Sequence, residues 1–249
     1  MTPEPVGGAP LPAAVLRPAV GNAFETTVEQ LATAIRLGVF LDGDLLPPER
    51  ELSERLGVSR NTLREAIAAL RDGGLVATRR GRGGGTAVTY HPPVPGTVGP
   101  GPPGSAAAPR HGATLRDALD FRRVVEPGAA GLAATRELSG DQRAWLVASA
   151  RATTEAPDTA AHRLADSRLH LAIATLSGSP MLIEAVTRAQ SALGEMLAAI
   201  PVFAVNITHS NAQHDAVVTA VLAGDPERAR SAMEEHCDAT AALLRGLLG

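Results

Sequence analysis

The stretch "HRLADSRLHLAIATL" places Asp166 and His170 four residues apart, about 40° offset on a helical face that Leu169 and Ile173 flank. Both polar groups are therefore expected to point into a core, where an unpartnered carboxylate is costly. His214 lies on the stripe of Val217, Val218 and Val221, and His236 on that of Ala229, Ala232 and Leu243. Any one of these histidines alone reads as a core residue hydrogen-bonded to a neighbour. Four ligand-type side chains on the apolar sides of three helices read better as a metal site. One Asp and three His form an N₃O set suited first to Zn²⁺, with Ni²⁺, Fe²⁺ or Mn²⁺ as alternatives. His162 shares the Asp166 face and is an outsider to that set. His91, His111 and His209 read as surface residues, and Cys237 as an ordinary small residue.

A second inward polar pair lies in "LRDALDFRRVVEPGAAGLAA". Arg122 and Glu126 share the face of Leu115, Leu119 and Ala133. They read either as a buried ion pair or as an anchor for a carboxylate effector, since a guanidinium fork binds carboxylate bidentately.

The elements that must position these groups are helices. Periodic segments near 114–136, 140–153, 158–177, 180–200, 208–223 and 226–247 are divided by Gly or Pro, and none reads as a confident strand. Ahead of them, "HPPVPGTVGPGPPGSAAAPRHG" (91–112) has seven Pro and five Gly in 22 residues and reads as an extended linker. The Pro/Ala-rich residues 1–22 read as a disordered tail. The expected organisation is thus a tail, a small module over 23–90, the linker, and a helical module over 113–249.

The small module runs helix, helix, turn, helix, then two β-prone runs around an Arg/Gly tip. That is the order of a winged helix-turn-helix. In "GVSRNTLREAIAALRDGGL", Leu63, Ala66, Ile67 and Leu70 share one face, with Ser59 placed to cap the helix at Thr62. Arg60, Asn61 and Arg64 front the helix at the end that enters a major groove, and Ser59 and Thr62 at that same end join them as candidate DNA contacts. Arginine forks read guanine edges, and asparagine reads adenine or binds phosphate. Arg79, Arg80 and Arg82, with Gly83, sit on a tip whose glycines let the backbone approach DNA closely.

Charge agrees with this division. Residues 50–82 hold eight Arg against four acidic residues, a net of +4 in a chain of −3, which leaves −7 for the rest. A basic module on an acidic body suggests local contact with a polyanion rather than a coat of nucleic acid. No apolar run reaches membrane-spanning length, no secretory leader pattern begins the chain, and one cysteine fits a reducing cytosol.

The stretch "LPPERELSERLGVSRNTLREAIAALRDGGLVATRRGRGGGTAV" resembles the DNA-binding domain of GntR-type transcriptional regulators. The resemblance implies operator contacts by Arg50, Arg60 and Arg64 and a wing in the minor groove. "FRRVVEPGAAGLAA", "DSRLHLAIA" and "QHDAVVTAVLAGDPERARSAMEEH" resemble the FCD domain of the FadR-like branch. That implies an antiparallel bundle of six or seven helices. It also implies metal ligation by Asp166, His170, His214 and His236, with a small carboxylate effector beside Arg122. A homodimer on a short inverted repeat, most simply a repressor, follows from the same resemblance. Two readings compete with it: a metal-dependent hydrolase with Glu126 as its base, and a constitutive repressor whose metal is purely structural.

Overall fold

Leu63, Ala66, Ile67 and Leu70 are all buried, as a single apolar stripe on a 13-residue helix requires. The computed structural model describes residues 10–18, 23–79, 81, 84–92, 115–200 and 203–248. The chain divides into two compact units, Met1–His91 and Pro92–Gly249.

The first unit contains α1 (Pro10–Val15), α2 (Ala23–Arg36), α3 (Glu49–Leu56), α4 (Arg60–Asp72), β1 (Val76–Arg79) and β2 (Gly85–Val88). The α3–α4 turn forms because Gly57, at φ 63°, takes the left-handed conformation that ends α3. Ser59 then accepts from the Thr62 N–H and starts α4. The two strands pair antiparallel from Val76↔Val88 to Arg79↔Gly85, and Leu45 adds an isolated bridge to Ala87. Leu31, Ile35, Leu52, Leu56 and Val76 complete a core with the α4 stripe.

The expected disordered tail is corrected at its centre. Pro10–Val15 is helical, and Leu11, Val15 and Leu16 are buried. Their spacing of four and one puts three apolar side chains on one side, enough for a short helix to bury against the module. The Arg17 N–H donates to Gln30 Oε1 at 2.8 Å, tying the segment to α2.

The second unit is helical throughout its described residues: α5 (Leu115–Ala134), α6 (Gly140–Thr154), α7 (Thr159–Leu176), α8 (Pro180–Ala198), α9 (Ala204–Ala223) and α10 (Pro226–Leu248). Caps punctuate it. Ser139 and Gln142 form a reciprocal capping box at α6, Asp158 caps α7, and Gly224 ends α9 in the left-handed conformation. α9 starts four residues earlier than the periodicity from 208 suggests, because polar Asn206, Thr208 and His209 interrupt the apolar pattern without breaking the helix. α5 packs tightly on the start of α10: a Cβ at Gly131 would stand 3.2 Å from the Pro226 carbonyl. One apolar core joins Ala130, Ala133, Leu146, Leu169, Ile173, Val217, Val221 and Met233 from five helices. No described helix is long and apolar enough to cross a membrane.

Candidate functional site

α7, α9 and α10 bring Asp166, His170, His214 and His236 together, each offering a ligand atom within 4.8 Å of all the others. The three imidazoles are buried and the carboxylate is half-buried. Ring centroids lie 4.5 to 5.3 Å apart. Two of the three imidazoles resist protonation. Burial, despite the opposing pull of Asp166, lowers His214 to about 4. Burial and then the neighbouring His214 hold His236 well below its ordinary value. Near neutral pH both rings are thus neutral, the form that donates a lone pair to a metal.

The polar atoms here lack ordinary partners. His214 Nδ1 and Nε2 and His170 Nε2 are buried without a hydrogen bond, and Asp166 Oδ1 stops 3.4 Å from His214 Nε2. Buried polar nitrogens are rarely left unpaired, and an ion among them would satisfy several at once. Ligand bonds of about 2.0 to 2.2 Å put the farthest two ligand atoms at most about 4.4 Å apart. Small side-chain adjustments would close the present cluster to that size, so the residues fit a divalent ion.

Behind the cluster, Glu126 is 1% exposed and fully engaged. Its Oε2 lies 3.0 Å from Arg122 Nε and 2.9 Å from His170 Nδ1, and its Oε1 accepts from Gln190 Nε2 at 2.6 Å. Burial opposes ionisation there, yet Arg122 and then His170 outweigh it and hold the carboxyl at about 2. Glu126 therefore acts as an acceptor that orients His170 and turns its Nε2 toward the cluster. The expectation that Glu126 itself contacts an effector is corrected: its oxygens are taken, and it does not line the cavity. Cys237, buried beside it at 3.6 Å, is pushed upward by burial and remains a thiol.

Arg122 forms the buried ion pair with Glu126. Its Nε is committed to Glu126, while Nη1 and Nη2 are buried without a partner. It also lines a cavity of about 250 Å³ that reaches Asp166 and His236. A buried guanidinium edge with spare donors is costly unless an anion meets it.

Residues that periodicity did not single out complete the site. Gln190 supports Glu126, Gln213 Oε1 lies 3.2 Å from His236 Nδ1, and half-buried Arg163 donates to the Leu197 carbonyl. Gln190 was findable, since it stands four after buried Val186 and three before buried Leu193, an inward polar position. His162 lies 3.2 Å from Asn211 rather than in the cluster, and His209 lines the cavity while remaining exposed.

In the first unit, Arg60, Asn61 and Arg64 stand exposed along the first turns of α4, and Arg79 is exposed on β1. Several are held by acids: Arg64 by Glu49 at 2.7 Å, Arg50 by Glu54 at 3.1 Å, and Asn61 by Glu65 at 2.8 Å. Such surface contacts are worth about 0–1 kcal/mol and exchange readily for a stronger acceptor. Ser59 and Thr62 bond each other at 2.8 Å as well as through the cap, which commits the Ser59 oxygen to the helix start. Arg80, Arg82 and Gly83 lie outside the described residues.

A winged helix-turn-helix followed by an all-helical unit defines a transcriptional regulator of the two-module kind. Residues 24–87 match the bacterial regulatory proteins of the gntR family, and residues 117–239 match the FCD domain. The chain belongs to the GntR family, in its FadR-like branch with an FCD domain. It is 35% identical over 215 residues to RmpR of Mycobacterium gastri, assigned as an HTH-type transcriptional regulator, covering 85% of this chain and 76% of that one. It is 34% identical over 205 residues to a protein of Escherichia coli (strain K12) assigned as the L-lactate dehydrogenase operon regulatory protein, covering 78% of this chain and 75% of that one. In fold it resembles the solved structure of E. coli McbR/YncC, at TM-score 0.54 and 18% identity over 92% of this chain and 100% of that one. These relatives are regulators, and the hydrolase alternative falls with them. Its one candidate base, Glu126, is also locked behind the cluster.

Proposed function

We propose that this regulator binds operator DNA through α4 and the wing, and that a small carboxylate bound at a divalent metal in the helical unit controls that binding. The observation that carries the reading is Arg122: its Nη1 and Nη2 are buried without a hydrogen-bond partner, and the residue lines the cavity that also reaches Asp166 and His236. Asp166, His170, His214 and His236 would hold the ion, with Zn²⁺ the first choice. The metal would supply a positive centre for one carboxylate oxygen, while the Arg122 edge takes the other. Gln190 and Glu126 fix the guanidinium and the His170 ring so that neither must reorganise on binding.

The organisation follows the sequence reading: DNA contact by 23–90, the Pro/Gly segment within 91–112 as linker, and 113–249 as the sensing and dimerising part. In this reading the protein works in the cytoplasm as a homodimeric repressor on a short inverted repeat. Phe121 and Val124 on α5 and Met181 on the adjoining α8 are exposed apolar residues that suit a second copy. The effector acts by its different affinity for the free and DNA-competent dimers, not by contact with DNA.

The DNA half predicts that Arg60→Ala or Arg64→Ala each weakens operator binding by about 1–3 kcal/mol, measured by anisotropy titration against a labelled operator. Wild-type affinity in both would sink the α4 assignment. The sensing half is tested by operator titrations of the full chain with small carboxylates, zinc-loaded and chelated. A carboxylate-dependent shift that disappears on chelation is expected. A metal that stabilises the protein while no acid alters operator affinity would leave a constitutive regulator with a structural ion.

A further inference from the structure

Every wall of the helical-unit cavity leaves the ligand cluster in one direction. On α10 the lining passes from His236 through Thr240 to Leu243, on α8 from Gln190 through Leu193 to Leu197, and on α9 from Gln213 back to Phe203. At 1.5 Å per residue, the seven steps from His236 to Leu243 on α10 span about 10 Å. The cavity is therefore a channel with the cluster and Arg122 at one end. Away from that end Leu193, Leu197, Ile200, Phe203, Ile207 and Leu243 are joined by the polar Thr159, His162, Arg163, Asn206, His209 and Ser210, and more of the lining surface is apolar than polar.

Resting on the carboxylate reading above, we infer that the effector is a monocarboxylic acid carrying an extended apolar body of about five to eight carbons, sized by the cavity volume. At about 30 Å³ per water, the 250 Å³ of space equals about eight waters, and no ligand heavy atom needs more room than a water. A two- or three-carbon hydroxy acid, with only about five or six heavy atoms, would leave about a quarter to a third of this space to water against leucine and phenylalanine side chains. Nor does the far half suit a second carboxylate. Arg163, the guanidinium on that stretch of α7, spends its Nη2 on the Leu197 carbonyl, and a carboxylate there would give up water against a lining whose surface is mostly apolar.

Gly194 supplies an independent sign. It sits inside α8 and lines the cavity, and a Cβ there would meet nothing within 4 Å. Glycine is among the poorest helix residues. Its presence at this wall keeps space open that a larger residue would fill.

The test is calorimetric titration of the zinc-loaded full chain with acetate, L-lactate, butyrate, hexanoate, octanoate and adipate. Each methylene from acetate to hexanoate is expected to tighten binding about three- to fourfold, so hexanoate exceeds acetate by about a hundredfold. Adipate is expected at least tenfold weaker than hexanoate. Leu243→Gln should flatten the length series. Gly194→Leu, which improves helix propensity and so preserves the fold, should move the optimum to shorter acids. Lactate binding as tightly as hexanoate, or adipate binding tightest, overturns the inference and leaves the metal-carboxylate reading intact. The same length series in chelated protein keeps the inference and removes the metal from ligand binding. Silence from every acid, loaded or chelated, overturns both.

Discussion

Zinc-loaded protein is expected to carry about one ion per chain by elemental analysis, and His214→Ala or His236→Ala to lose most of it. Each histidine supplies one of four candidate ligands. An ion that binds only the folded form stabilises it by about 4 kcal/mol when present at a thousandfold excess over its Kd. Chelation should therefore lower the melting temperature of the helical unit by many degrees, and the two variants should melt near the chelated wild type. The His214 ring makes the sharper case, because both of its nitrogens are buried without a hydrogen bond in the absence of an ion. A protein whose melting point and metal content ignore chelator and substitutions alike would return the cluster to ordinary core packing.

Glu126→Ala is expected to cost about 3–5 kcal/mol of stability, the range for removing one partner of a buried pair. Arg122 and Glu126 are 2% and 1% exposed, so no solvent can take over when the carboxylate goes. The guanidinium would be left with no anion, Gln190 with no acceptor, and His170 with no group to set its ring. Glu126→Gln should recover part of the stability by restoring bulk and one oxygen. It should not recover metal affinity, since an amide cannot draw a proton onto His170 Nδ1 as a carboxylate does. Chemical denaturation of the chelated and loaded forms separates the two effects. Equal losses in both forms would mean that Glu126 supports the fold alone.

Much of this arrangement was written in local spacing. Asp166 and His170 at i, i+4, and His214 and His236 on apolar stripes, announce inward polar groups because helical periodicity fixes direction before any tertiary contact forms. The Ser59 cap and the α4 stripe were equally legible, as both depend on neighbours within a few residues. The assignment of Glu126 was not. Whether an inward carboxylate meets a ligand or a side chain depends on Gln190, 64 residues away, and on Cys237, 111 residues away. The apolar channel shows the same limit, since its wall is assembled from helices whose mutual register no single segment encodes. Helix α1 escaped for another reason: proline and alanine composition masked three apolar residues that a nearby module could bury.

The glutamates that hold Arg64 and Arg50 would alter the thermodynamics of any phosphate contact those arginines make. An arginine that arrives bare releases condensed cations from DNA, and each such contact contributes about −0.9 to the slope of log affinity against log salt. An arginine that must first leave Glu49 or Glu54 frees a carboxylate, which gathers cations of its own. Part of the released ion atmosphere is thus recaptured by the protein. The salt dependence of operator binding should fall short of the number of arginine–phosphate contacts in the complex, and Glu49→Gln should steepen it.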